Sequence, residues 1–400
     1  MLEPGYSSKQ GDLWTVRLYY FIWLGGGGAV SPFLNLFLTR QHLDGVQIGW
    51  IVAIGSLIGL FAAPLWTRYS SESRYPMRLL QISLLLTGAA TLFFSWQTIF
   101  FWLAAFFTLR ILFSAGQSPL SDALALRVTD ATNTGYGSVR VWGSFGWAVI
   151  VLGTGWLNQQ FGIRCGFIEF AIIMVIAAIL LTQVRTSAAP IHAPMPNHRP
   201  GFREVSAFIL RSPVLWGLGV MLIIIGVANL GIVQFENIYL SQLGASDSLI
   251  GVASMVSSVV EIVGMLWADQ LVRRRSPAPI LMISLGLYGI LRSLLFLFPS
   301  VFLIIASRAA SGIAFSFYTV ALIQYISQRT PADQTATALA IFTVTLPSLI
   351  NITSTPLVGH LFDLVGAHWL YLIALIGYAL GAAVLWVIQP RRKMQSNLSQ

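Results

Sequence analysis

The chain is poor in what enzymes and soluble domains need. Cysteine appears once in 400 residues, as Cys165. That excludes an intrachain disulfide and any cysteine-rich metal site, and leaves Cys165 a packing role. Charged residues make up 9% of the chain, against about 25% in a soluble domain, so a water-soluble globule of this length would lack polar surface. The five histidines, His42, His192, His198, His360 and His368, all fall in or beside loops. Neither a paired-His metal site nor a Ser-His-Asp group at one depth is available, which argues against a membrane-embedded enzyme, and no metal or cofactor is expected. No Gly-Lys-Ser/Thr phosphate loop is present, so a primary pump is disfavoured. The four-glycine run Gly25–Gly28 lacks both that lysine and a preceding strand; it reads as a packing or bending device in a helix.

What the chain has is apolar length. Hydrophobic residues make up 56% of it, and about 20 apolar residues suffice to span a bilayer. Such stretches occur at roughly 16–39, 46–67, 77–96, 98–126, 137–160, 165–183, 213–240, 249–268, 279–298, 301–327, 335–357 and 368–389. The expected fold is therefore an all-α membrane protein of twelve spanning helices. The first fifteen residues are mostly polar, so the first stretch reads as a spanning helix rather than a signal peptide. The net charge of +9 is not a nucleic-acid footprint. With the N-terminus in the cytoplasm, only Arg40 and Arg164 fall in outer loops, while Arg110, Arg292 and Arg308 lie within helices. This positive-inside bias places both termini in the cytoplasm of a bacterial-type inner membrane. The runs Arg273-Arg274-Arg275 and Arg391-Arg392-Lys393 read as interface anchors.

The longest polar interruption, Gln183–Pro213, separates six stretches from six. It gives an N-terminal bundle (1–183), a cytoplasmic linker (184–212) that holds His192 and His198 in solvent, and a C-terminal bundle (213–400). The halves repeat weakly. Phe33-Leu34-Asn35-Leu36-Phe37-Leu38 reappears 202 residues later as Phe235-Glu236-Asn237-Ile238-Tyr239-Leu240, and Ile48-Gly49 as Ile250-Gly251. Parallel halves related about the membrane normal are a transporter plan with the substrate near the midplane.

Charges inside the apolar stretches are costly and default to functional candidates. Glu261 lies in the eighth stretch, in a stripe with Ser254, Ser257 and Ser258 at helical spacing. Counting 1.5 Å per residue places Glu261 roughly 18 Å, Arg292 roughly 9 Å and Arg308 roughly 11 Å below the outer face. The arginines can hold an anionic substrate or keep Glu261 ionised. A second constellation spans the fourth and fifth stretches. Asp122 and Arg140 lie about one turn from the same membrane face, and Trp147 two turns deeper than Arg140. They suit substrate contact, a cytoplasmic gate or a structural ion pair. Lesser candidates are Glu236, Glu169, Asn35, Gln117 and Asn351.

The segment Asp122-Ala-Leu-Ala-Leu followed by Gly137-Ser-Val-Arg140-Val-Trp142-Gly143-Ser-Phe-Gly146-Trp147 resembles the lactose-permease-like branch of the major facilitator superfamily. Glu261 through Arg274, Leu291-Arg292-Ser293 and Ile323-Gln324-Tyr325-Ile326 resemble the same branch, which includes oligosaccharide, nucleoside and phenylpropionate proton symporters. The resemblance implies that Asp122 and Arg140 bind substrate, that Trp147 stacks on it, and that Glu261 and Arg292 belong to the coupling site. Ser311 and Ala314 replace the family's essential histidine and glutamate, so its proton step does not transfer whole. The loop signature of the superfamily is degraded to Thr67–Arg74.

The resulting expectation is a monomeric secondary transporter, embedded in lipid, that takes up a small polar or aromatic solute with protons. Asp122, Arg140, Trp147, Asn35, Gln117, Ser257 and Ser258 are its expected substrate-binding residues. Glu261, Arg292, Arg308 and Glu236 are its expected coupling or ion-pair residues. Drug efflux and a non-transporting receptor are the alternatives, and sodium is the alternative coupling ion.

Overall fold

The computed structural model describes residues 4–73, 75–184, 201–274 and 276–389. Arg74, Arg275, the linker histidines His192 and His198 and the tail Arg391-Arg392-Lys393 lie outside the described residues.

Every regular element among the described residues is a helix. The first half comprises α1 (Pro4–Val30), α2 (Leu34–Arg40), α3 (Gly45–Glu72), α4 (Pro76–Trp96), α5 (Phe100–Ser114), α6 (Gln117–Thr132), α7 (Gly137–Phe161) and α8 (Arg164–Leu180). After α9 (Phe202–Arg211), the second half comprises α10 (Pro213–Gln242), α11 (Asp247–Arg274), α12 (Pro277–Leu297), α13 (Val301–Ser327), α14 (Thr335–Ala340), α15 (Leu346–Val365) and α16 (Ala367–Ile388). Eleven spans among the described residues are long and apolar enough to cross a bilayer. The twelfth crossing is α7, 25 residues long, whose glycines and tryptophans dilute its hydropathy.

Three crossings are built from two helices. Pro32, which has no backbone N–H, sits in the turn between α1 and α2. Ala115-Gly116 separates α5 from α6. Between α14 and α15 the chain winds as a π-helix over Ile341–Thr345. The eleventh crossing also runs past the expected 357 to Val365. Asp363 does not end it, because its carboxylate turns outward to accept from the amides of Gly45 (2.7 Å) and Val46 (3.1 Å) at the start of α3. The expected linker contains the ten-residue helix α9, anchored by buried Val205 and Ile209 one turn apart.

The glycine run lets α1 approach its neighbours. A Cβ on Gly25 would lie 3.0 Å from the Gly146 backbone, one on Gly28 would lie 2.9 Å from the Trp147 carbonyl oxygen, and one on Gly26 would lie 2.8 Å from Met174. Only a glycine surface admits α7 and α8 at that distance. The outer faces carry exposed Phe101, Phe302, Trp386 and Val387, a surface that hydrocarbon solvates and water does not.

The two halves meet at one end, and the contacts are reciprocal. The Asn35 amide donates to the Gln234 carbonyl oxygen (2.8 Å) and side chain (2.7 Å), while the Asn237 amide donates to the Pro32 carbonyl oxygen (2.6 Å). Asn35 and Asn237 are repeat mates, and so are Pro32 and Gln234. Arg40 forms a two-pronged ion pair with buried Asp247 at 2.6 and 2.8 Å. Gly49 packs against the backbone of Thr355 and Pro356, and its repeat mate Gly251 against that of Val151 and Gly155. Toward the opposite end lies a cavity of about 1010 Å³, lined by α3, α5, α6 and the π-turn residues Val344 and Thr345. A second cavity of about 610 Å³ lies within the second half.

Candidate functional site

In the first half, α1 docks onto α6 through a polar ladder. Tyr19 pairs with Ser121 (2.7 Å), Tyr20 donates to Asp122 Oδ1 (2.7 Å), and Trp23 donates to Gln117 (3.0 Å). The spacings 19, 20, 23 and 117, 121, 122 put each set on one helix face. Tyr136 adds a second hydroxyl to Asp122 Oδ1 at 2.8 Å, and Ser118 reaches Oδ2 at 3.4 Å.

The Asp122–Arg140 ion pair does not form. Arg140 lies on an exposed face of α7, and two tyrosine hydroxyls occupy the carboxylate oxygen it would have taken. Gln117 is buried and fully engaged: it also donates to Thr87 (2.8 Å) and to the Ser83 carbonyl (3.3 Å). Trp147 does not cap an ion pair; its ring rests over Gly27, 3.6 Å from where a Cβ would stand. Asn35 lies in the seam between the halves rather than beside Asp122. Glu169 accepts from Thr154 at 2.6 Å.

The second half holds a buried three-charge cluster centred on Glu236. Arg308 reaches its Oε2 at 2.7 and 2.8 Å, Arg292 its Oε1 at 3.6 Å, and the Tyr371 hydroxyl donates to Oε1 at 3.1 Å. Arg308 also donates to Asn237 (2.5 Å) and Ser254 (3.3 Å), and Arg292 to Asn229 (3.4 Å). Glu236, expected as a lesser candidate, is therefore the acid that both arginines share.

Glu261 is not their partner. Arg308 meets α11 at Ser254, and Glu261 sits seven residues deeper, about 10 Å along the helix. The Glu261 side chain is half-buried and forms no ion pair among the described residues; its backbone carbonyl accepts from the Ser316 hydroxyl at 2.9 Å. Ser257 and Ser258 flank it, and the Ser257 carbonyl lies 2.8 Å from where a Gly312 Cβ would stand, so α11 and α13 touch backbone to backbone there.

Asn229, Tyr288 and Tyr378 connect the cluster to the smaller cavity, which they line with Tyr318, Phe315 and Asn351. Arg292 lies 5.8 Å from the Tyr288 ring and 5.9 Å from that of Tyr371. The π-turn contributes Phe342 and Thr343 to this cavity and Val344 and Thr345 to the larger one. Such irregular turns are frequent at functional sites. Tyr20, Tyr136, Tyr371 and Asn229 were not among the expected site residues. Among the described residues no group of three or more His, Cys, Asp or Glu is placed to hold a metal.

Two helical halves sealed at one end, with buried charges and cavities between and within them, define a multi-pass membrane transporter. The chain belongs to the MFS_1 like family, which matches residues 13–384. It is 30% identical to the uncharacterized transporter YwbF of Bacillus subtilis over 89% of this chain and 88% of that protein. It is 28% identical to the maltose permease of Geobacillus stearothermophilus over 94% of each. Its fold is similar to that of the nucleoside transporter NupG in the crystal structure of a mutant form. The TM-score is 0.81 and the identity 13%, covering 95% of this chain and all of that one.

Proposed function

We propose that this transporter takes up a small polar or aromatic solute (a sugar, nucleoside or aromatic acid) together with a proton, by alternating access. The observation that carries the reading is the asymmetry between the ends: reciprocal asparagine bonds and the Arg40–Asp247 pair seal one, and the larger cavity lies toward the other. With both termini in the cytoplasm, as the distribution of basic residues favours, the sealed end is the outer one and this conformation faces inward. The bundles are 1–183 and 213–400, joined by the cytoplasmic linker 184–212, and the working unit is a monomer in lipid. Permeases among its relatives support the solute class.

Asp122 with its tyrosines, Arg140 and Trp147 form the solute-binding wall of the first half, Gln117 braces α1 and α4 behind it, and Ser257 and Ser258 face it from the second. Asn35 belongs to the outer gate. Glu236, Arg292 and Arg308 set the geometry of the second half. Glu261, a half-buried carboxyl with no ion partner among the described residues, is the group that gains and loses the coupled proton.

Proteoliposomes with an acid exterior test this. With one proton per solute, a one-unit pH gradient stores about 1.4 kcal/mol, enough for a roughly tenfold solute gradient. Accumulation of a solute from a sugar, nucleoside and aromatic-acid panel, abolished by a protonophore, is the expected result. Accumulation that persists with the protonophore present contradicts proton coupling.

A further inference from the structure

The linker helix α9 carries two apolar stripes, and protein covers only one of them. Val205 and Ile209 are buried where α9 packs against α10 and α14. Phe202 and Leu210, eight residues apart with Ser206 midway, share a different flank. They are 57% and 67% exposed.

The chain fixes the depth at which this flank lies. Only Ser212 separates α9 from α10. The 30 residues of α10 extend about 45 Å at 1.5 Å per residue. That length covers the hydrocarbon core and both headgroup layers, together about 40–45 Å, so Pro213 at its start lies at headgroup level. Pro213 also keeps Ser212 out of the helical region, and Ser212 is extended (φ −90°, ψ 109°). Helix α9 therefore leaves the axis of α10 at the surface of the bilayer. Trp216, exposed in the first turn of α10, marks the same level, where tryptophans favour the membrane interface.

Charge is arranged to match. Arg203 stands seven residues before Leu210, at the edge of the uncovered flank, and Arg211 closes the last turn beside Ser212. Both arginines are exposed, and neither forms an ion pair or hydrogen bond among the described residues. Glu204, the acid of α9, lies about 200° round the helix from Ser206, on the far side.

We propose that α9 is a docking surface for anionic phospholipid of the cytoplasmic leaflet. Phe202 and Leu210 enter the boundary between headgroups and acyl chains, and Arg203 meets a phosphate at the edge of that contact. An arginine beside the membrane is drawn to an anionic surface and not to a zwitterionic one, which selects the lipid class. The choice of leaflet follows the cytoplasmic placement of the linker; the docking itself depends on neither the solute nor the coupled ion. Leu339 of α14 lines the smaller cavity, so the docked α9 sets the lipid surface one helix away from it.

Full-length protein in nanodiscs tests this, because both faces of a disc carry the same lipid and the result is independent of which face is cytoplasmic. In a Cys165→Ser background, a spin label is attached at Ser206→Cys, on the docking flank, or at Glu204→Cys, opposite it. Arg203 and Glu204 are exposed and Ser206 is half-buried, so the substitutions in α9 leave the core intact. In discs of phosphatidylcholine mixed with phosphatidylglycerol, the label at 206 is expected to be reached by oxygen and shielded from a water-soluble nickel chelate. The label at 204 is expected to show the reverse. Arg203→Gln is expected to shift the docking equilibrium about fivefold toward the undocked state in the mixed discs, and to change nothing in discs of phosphatidylcholine alone. A label at 206 that the nickel chelate reaches in both lipids overturns the proposal, since α9 then stands in water. A label shielded from both reagents overturns it too, since protein then covers the flank. Equal docking in the two lipids, or Arg203→Gln docking as tightly as wild type, overturns the anionic assignment.

Discussion

Glu236→Gln is expected to be the most damaging single substitution in the second half. It leaves Arg292 and Arg308 charged, with side chains only 7% and 14% exposed and no other ion-pair partner among the described residues. Removing one partner of a buried ion pair costs about 3–5 kcal/mol, and here one carboxylate serves two cations. Loss of folded protein in detergent, or a large fall in melting temperature, is the expected outcome. Glu236→Gln combined with Arg308→Gln is expected to recover part of the stability, because the double variant buries one fewer unpaired charge. A single variant as stable as wild type would show that the cluster is not what holds α10 against α12 and α13.

Glu261→Gln is expected to behave in the opposite way. With no ion partner to strand, it should change stability by less than about 0.5 kcal/mol, the range of substitutions that break no specific contact. Its effect falls on coupling. Accumulation driven by a pH gradient is expected to vanish, while exchange of labelled for unlabelled solute continues at a rate near that of wild type. Accumulation at the wild-type level would remove Glu261 from the proton path and move attention to Asp122 or Glu169. The two glutamates are thus expected to separate, Glu236 in its effect on stability and Glu261 in its effect on accumulation.

The helices were legible in the sequence because a spanning helix must be apolar along its whole length. Hydropathy is summed over a stretch, however, so it passed over the interruption at Ala115-Gly116 and the π-turn at Ile341–Thr345, where the chain stays apolar while its winding changes. The charged candidates were legible because charge at membrane depth is rare, but their pairing was not. Residue spacing gives depth within a helix and says little about which neighbour a face meets. Glu261 and Arg308 looked close in depth, yet Arg308 turns to Glu236 on α10 and to Ser254 on α11. The tyrosines around Asp122 were hidden because an aromatic residue in an apolar stretch reads as core. The match of Asn35 to Asn237 was visible as a repeat; that each asparagine reaches across to the other half appears only in three dimensions.

Alternating access itself is tested most directly by distances between spin labels on the two halves. Labels at His42 and Gln242 report the sealed end, and labels at Ala131 and Gln328 the opposite end; all four residues are exposed. Addition of a transported solute with acidification is predicted to lengthen the first distance and shorten the second, within one population. Both distances unchanged, or both changing in the same direction, would contradict two rigid halves that rock about a central site.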